Sequence, residues 1–173
     1  MLPAIAEDLG TSTSATAWVA LGLFLSLAGF FLTGSHIGNL LGHRKTGLIG
    51  AYGEVVILAL LVISPNLAVI VALRIMEGVV RSLAMPNLQA MAIGKFKQEE
   101  RGRALGLLFA CGSIGFLAAA PIAGLITDYL GWRWVFAISG VTMLVLTTLL
   151  SVLVREENVQ RRDWPGIKVL DLP

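Results

Sequence analysis

The sequence predicts an all-α, polytopic membrane helix bundle, and three observations carry that prediction. Of its 173 residues, 56% are hydrophobic and only 14% are charged. Its mean hydropathy of +0.81 lies far outside the range of an ordinary soluble domain. The apolar residues gather into five long runs, and a helix needs roughly 20 such residues to cross the hydrocarbon.

The first run covers residues 17–37, has no formal charge and holds Trp18 near one end, where an interfacial aromatic belongs. The basic stretch GNLLGHRKTG, residues 38–47, reads as a connection. A second run, about 48–64, is interrupted only by Glu54, and Pro65 with Asn66 supplies a tight, uncharged turn. The third run covers residues 67–94, with Pro86 as a kink near its exit. After the charged loop KFKQEERGR, residues 95–103, a fourth run occupies 104–127. DYLGWRW then leads to a fifth, about 135–154, and residues 155–173 form a polar tail. Small residues recur inside the runs, among them Gly22, Gly29, Gly34, Gly106, Gly112 and Gly115, and their first meaning is close helix packing.

The loops sort by charge. One side collects Arg44, Lys45, Lys95, Lys97, Arg101, Arg103, Arg155, Arg161 and Arg162, whereas the other has Arg133 with the acids Glu7, Asp8 and Asp128. The positive-inside rule makes the first side cytoplasmic, so loops 38–47 and 95–103 and the tail are expected there, in a multi-pass protein of the cell membrane. The N-terminus then faces outward, which points to a preceding span that is missing. Because the basic residues lie in short clusters between apolar runs, the net charge of +2 argues for a bilayer and against nucleic acid. Met1 is followed by LPAIAEDLG, with two acids where the apolar core of a cleavable signal would lie, so targeting is expected to come from the spans. The single cysteine, Cys111, offers no disulfide and reads as a small buried hydrophobe. His36 and His43 are too few for a metal site, and no nucleophile or phosphate-binding glycine loop is evident, so neither an enzyme nor a cofactor is expected.

The third run holds the residues of greatest interest. Arg74, Glu77 and Arg81 stand at i, i+3 and i+7, one stripe on a helix, with Glu77 able to reach either arginine. Charges at bilayer depth are costly and are retained facing a bundle interior or an aqueous path, so a role in proton coupling or the substrate pathway is the default reading. Counting from the turn at Pro65 and Asn66 brings Glu54 to the depth of Glu77 and Arg81, where a Glu54–Arg81 pair balances the excess positive charge. Two readings stand for Glu77 and Arg81: a titrating pair, or structural neutralisation between packed helices.

These motifs resemble the major facilitator superfamily, specifically the N-terminal half of drug:proton antiporters of the fourteen-span type. LPAIAEDLG is similar to the segment after that family's first helix, so the five spans correspond to helices two to six. SHIGNLLGHRK resembles the loop motif Gly-x-Leu-Ala-Asp-Arg-x-Gly-Arg-Arg, keeping Gly42 and Arg44 but placing Asn39 at the acid and Leu40 at the arginine. RIMEG resembles Arg-x-x-Gln-Gly of helix four, with Arg74 and Gly78 matching and Glu77 replacing glutamine. The fourth run resembles the antiporter motif through Gly106, Gly115, Pro121 and Gly124, with Ala120 in place of a glycine. GWRWVF is similar to the opening of helix six, and RRDWPG to the approach to helix seven in the fourteen-span branch.

The resemblance implies residues 1–154 as most of a six-helix bundle and a tail leading toward a missing next helix. It implies alternating access, with export of a small organic molecule coupled to protons, Arg74 in the coupling, and Asn39, Gly42 and Arg44 in a gating loop. The implied partners are lipid, substrate, protons and the remaining helices of a complete transporter. The alternative is a non-transporting membrane protein, or a remnant that needs a separate second half.

Overall fold

A computed structural model describes residues 1–153, and every element among them is a helix. In chain order these are α1 (Leu2–Asp8), α2 (Thr13–Leu41), α3 (His43–Val62), α4 (Leu67–Gly94), α5 (Arg101–Leu130) and α6 (Trp132–Leu153). Val154, Arg155, Arg161, Arg162 and the RRDWPG segment lie outside the described residues. Four helices, α2, α3, α5 and α6, are long and apolar enough to cross a membrane. The interior of α4 is interrupted by Arg74, Glu77 and Arg81, yet its 28 residues reach about 42 Å, ample for the crossing.

Except for α4, which coincides with the third run, the helices are longer than the apolar runs, and the loops are correspondingly shorter. The connection expected over residues 38–47 is a one-residue turn at Gly42, whose φ of +97° reverses the chain where a side chain would be strained. Gly131, at φ +95°, does the same between α5 and α6, inside the stretch expected as DYLGWRW. Apolar runs end at the first charge, but lysine, arginine and glutamate are good helix formers and extend a span into water. For the same reason the loop at 95–103 is already helical from Arg101. In the opposite sense, α3 stops at Val62, and Ser64, expected inside the second span, folds back so that its hydroxyl donates to the carbonyl of Leu61 at 2.7 Å. Asn66 then caps α4, accepting from the Val69 N–H at 3.0 Å, and Ser12 caps α2 through the Ala15 N–H.

Helix α4 is the centre of the bundle, packed between α2 and α3, while α6 lies on the other side of α3. The α2–α4 seam is parallel and built on small residues: Gly22 against Ile75, Ser26 against Gly78, Gly34 against Ser82, and Gly38 against Asn87. A Cβ at Gly34 would land on the carbonyl of Ser82, which has lost its helical N–H partner because residue 86 is proline. The α3–α4 seam is antiparallel, with Gly47 against Leu88, Gly50 against Ala84 and Gly53 against Val80. Close backbone approach through small side chains drives helix association where no hydrophobic effect operates.

The segment LPAIAEDLG is a helix in its own right. Ile5 on α1 is fully buried in a cluster with Val19, Ile57, Leu58, Leu61, Ile70, Trp132 and Phe136, so α1 plugs the Gly131 end of the bundle. Helix α5 stands apart: it packs mainly on α6 and only slightly on α4, and Thr127 is its one buried residue. Cys111 is therefore exposed and not buried as expected, because no described helix covers that face of α5. Gly29 likewise has open space around it.

Candidate functional site

The sandwiched position of α4 turns its charged stripe inward. Glu77 is 1% exposed, and its two carboxylate oxygens are split between the arginines. Arg74 Nη1 donates to Oε2 at 2.8 Å, while Arg81 Nη2 lies 3.3 Å from Oε1. Arg81 also reaches across to α3, donating to Glu54 Oε1 from Nε at 3.1 Å and, more closely, from Nη2. The result is an alternating chain, Arg74–Glu77–Arg81–Glu54, that sums to zero formal charge. A stripe with excess positive charge on one helix becomes neutral only when the neighbouring helix supplies Glu54.

Burial is uneven along this chain. The side chain of Arg74 is 11% exposed and that of Glu54 only 6%, but Arg81 keeps 35% and is the member nearest to solvent or lipid. Arg74 has one further contact, with its guanidinium carbon 4.7 Å from the centroid of the Phe136 ring on α6. Its Nε is buried and has no acceptor among the described residues. Chemically, each carboxylate here holds an arginine that stays charged at any working pH, so protonating Glu77 or Glu54 would release a permanent cation to seek another partner.

The residues of the expected gating loop do not share one site. Asn39 is exposed on the last turn of α2 and makes no side-chain hydrogen bond among the described residues, and Gly42 is the turn itself. Arg44 instead crosses to α6, donating to the carbonyl of Ser151 at 2.8 Å. Gly106, Gly115, Pro121 and Gly124 lie on α5, and a Cβ at any of these glycines would meet nothing. No group of residues able to hold a metal ion occurs among the described residues.

Two residues of the neighbourhood were not singled out from the sequence. Asn87 is completely buried beside Pro86; its amide donates to the carbonyls of Gly34 at 2.9 Å and Leu83 at 2.8 Å. Its Oδ1 lies 2.7 Å from His43 Nδ1, and because both amide hydrogens are committed, that ring nitrogen must carry a proton. The polar amide within the apolar stretch AMPNLQAM was the available signal. Phe136 was visible as part of GWRWVF but with nothing to indicate its partner.

The sequence matches the Major Facilitator Superfamily over residues 1–168. The chain belongs to that superfamily. Among its relatives, the tetracenomycin C resistance and export protein of Streptomyces glaucescens is 30% identical over 97% of this chain and 32% of its own length. The lincomycin resistance protein of Streptomyces lincolnensis is 29% identical over 95% of this chain and 35% of its own length. The multidrug efflux pump LfrA of Mycolicibacterium smegmatis is 28% identical over 91% of this chain and 31% of its own length. The chain therefore spans about a third of the length of these curated relatives. As a superfamily member with apolar helices of spanning length, it is a multi-pass membrane protein.

Proposed function

We propose that this chain forms most of the first helix bundle of an exporter of small organic molecules, working by alternating access with proton coupling. The observation that carries the reading is the neutral Arg74–Glu77–Arg81–Glu54 chain at the centre of the bundle, buried except at Arg81. Two carboxylates and two permanent cations in one low-dielectric row form a device that trades partners when a proton binds. The export direction and the substrate class are supported by the relatives, whose names specify antibiotic resistance, tetracenomycin C export and multidrug efflux. Their threefold greater length supports a further set of helices as the partner that completes the substrate path.

In this reading the protein lies in the cell membrane with the Gly42 turn and residues 95–103 on the cytoplasmic side. Gly42 and Arg44 tie α2 and α3 to the end of α6 on that side, and Asn39 is exposed to meet the other half. The small-residue face of α5, with Gly106, Gly115, Pro121 and Gly124, packs against helices beyond this bundle.

The test is Arg74→Ala in the full-length transporter, assayed in everted vesicles with an imposed pH gradient. Gradient-driven drug movement should fall by at least tenfold, while abundance in the membrane stays at the wild-type level. Wild-type transport by Arg74→Ala would refute the coupling role.

A further inference from the structure

The contacts of Arg74 do not end at Phe136. Phe136 packs edge-on to Trp132, with ring centroids 5.9 Å apart and planes at 80°. The indole Nε1 of Trp132 donates to Asp8 Oδ2 on α1 at 3.1 Å. Arg133 donates to the same oxygen at 2.8 Å, and its guanidinium carbon lies 4.2 Å from the centroid of the Trp132 ring. Both rings are buried, Trp132 at 3% and Phe136 at 2% exposure, whereas Asp8 and Arg133 are on the surface. The edge-to-face pair has little freedom to slide, because Ile5, Leu61 and Ile70 complete the same close-packed cluster.

We propose that Asp8, Trp132 and Phe136 form a strut that runs from the surface of the Gly131 end down to Arg74, making Phe136 the positioning residue for that arginine. The inference rests on the transport reading for Arg74 only in what the strut is for, not in whether it exists. The physical case is that a guanidinium shared with Glu77 alone could rotate about its own stem. The face of Phe136 gives it a second, directional contact from another helix. Trp132 sets the plane of Phe136, and the carboxylate of Asp8 fixes the indole by taking its only hydrogen-bond donor. A movement of α1 relative to α6 would thus be felt at Arg74, with no charge transferred along the way.

The test places 4-fluorophenylalanine at position 136 in the full-length protein and follows its fluorine resonance in liposomes. Arg74→Gln should move the resonance, and so should Asp8→Asn; Arg133→Gln provides a second route to the same disturbance if Asp8→Asn does not fold. A resonance unmoved by Arg74→Gln, or moved by it but by neither surface variant, overturns the strut. Transport gives the second readout. Phe136→Leu should slow it about fivefold at equal abundance, with Phe136→Tyr restoring the rate because it keeps the ring face. Equal impairment of the leucine and tyrosine variants overturns the positioning role. If Arg74→Ala transports normally, the transport reading fails and the fluorine resonance alone decides the strut.

Discussion

Helices α4 and α5 have nearly the same length, 28 and 30 residues, and each carries an internal proline, Pro86 in one and Pro121 in the other. By composition α5 is the better membrane helix, uncharged through its middle, whereas α4 carries three charges there. Their surroundings are the reverse of what burying the more apolar helix would predict. The charged helix is enclosed between α2 and α3, and the apolar one is left uncovered by the other described helices along almost its whole length. In a bilayer the apolar side chain has no reason to leave the surface, while the charged one must be satisfied by protein. The glycines divide in the same way: at Gly78 a Cβ would collide with the backbone of Leu23 and Leu27, and at Gly115 it would meet open space.

That contrast can be broken by substitution, beginning with the charges. Glu77→Gln removes the one carboxylate shared by both arginines and should destabilise the bundle by about 3–5 kcal/mol, the cost of leaving a buried charge uncompensated. Glu54→Gln should cost less, because Arg81 keeps Glu77 and 35% exposure. Denaturant titration followed by circular dichroism in detergent measures both, and equal losses would mean that the chain is not organised around Glu77.

A smaller effect comes from the glycines. Gly78→Ala should cost about 2 kcal/mol through overpacking against the α2 backbone. Gly115→Ala in the same chain should be neutral or should stabilise by up to about 1 kcal/mol through helix propensity. A Gly115→Ala penalty as large as that of Gly78→Ala would show α5 to be packed as closely as α4.

The smallest effect is expected where α6, which carries α5, is tied to α1. The hydrogen bonds from Arg133, and then from Trp132, hold the Asp8 carboxyl below its ordinary range. A lowered carboxylate adds stability that is complete above its unfolded value, about 3.9, and is lost as pH falls through the folded one. The difference in thermal midpoint between wild type and Asp8→Asn should therefore be constant from about pH 5 to 8 and vanish in stronger acid. A difference that changes between pH 5 and 8 would mean that another group governs this clasp.

Much of the fold was legible because membrane helices are written in single-letter chemistry. Five apolar runs led to five long helices, and the spacing of Arg74, Glu77 and Arg81 was enough to place them on one face. Even the Glu54–Arg81 contact followed from counting back from Pro65 and Asn66. Helix ends were less legible. Charge marks the edge of hydrocarbon and not the end of a helix, so residues 38–41 and 43–47 read as loop in the sequence although only Gly42 turns. The contact of Phe136 with Arg74 was hidden for a different reason: an aromatic in an apolar run shows no preference among lipid, core and cation until its neighbours are known.

Taken alone, the sequence determined the class, the five long helices among the described residues and the register that brings Glu54 level with Arg81, because these depend on transfer energies and on a fixed rise per residue. Only the tertiary structure decided which helix is central, that the charges close into a neutral chain, and that Arg74 faces Phe136. Those depend on which helices approach closely enough for side chains on different spans to meet. That approach is set by where glycine and serine let two backbones touch, at Gly22, Ser26, Gly34 and Gly78.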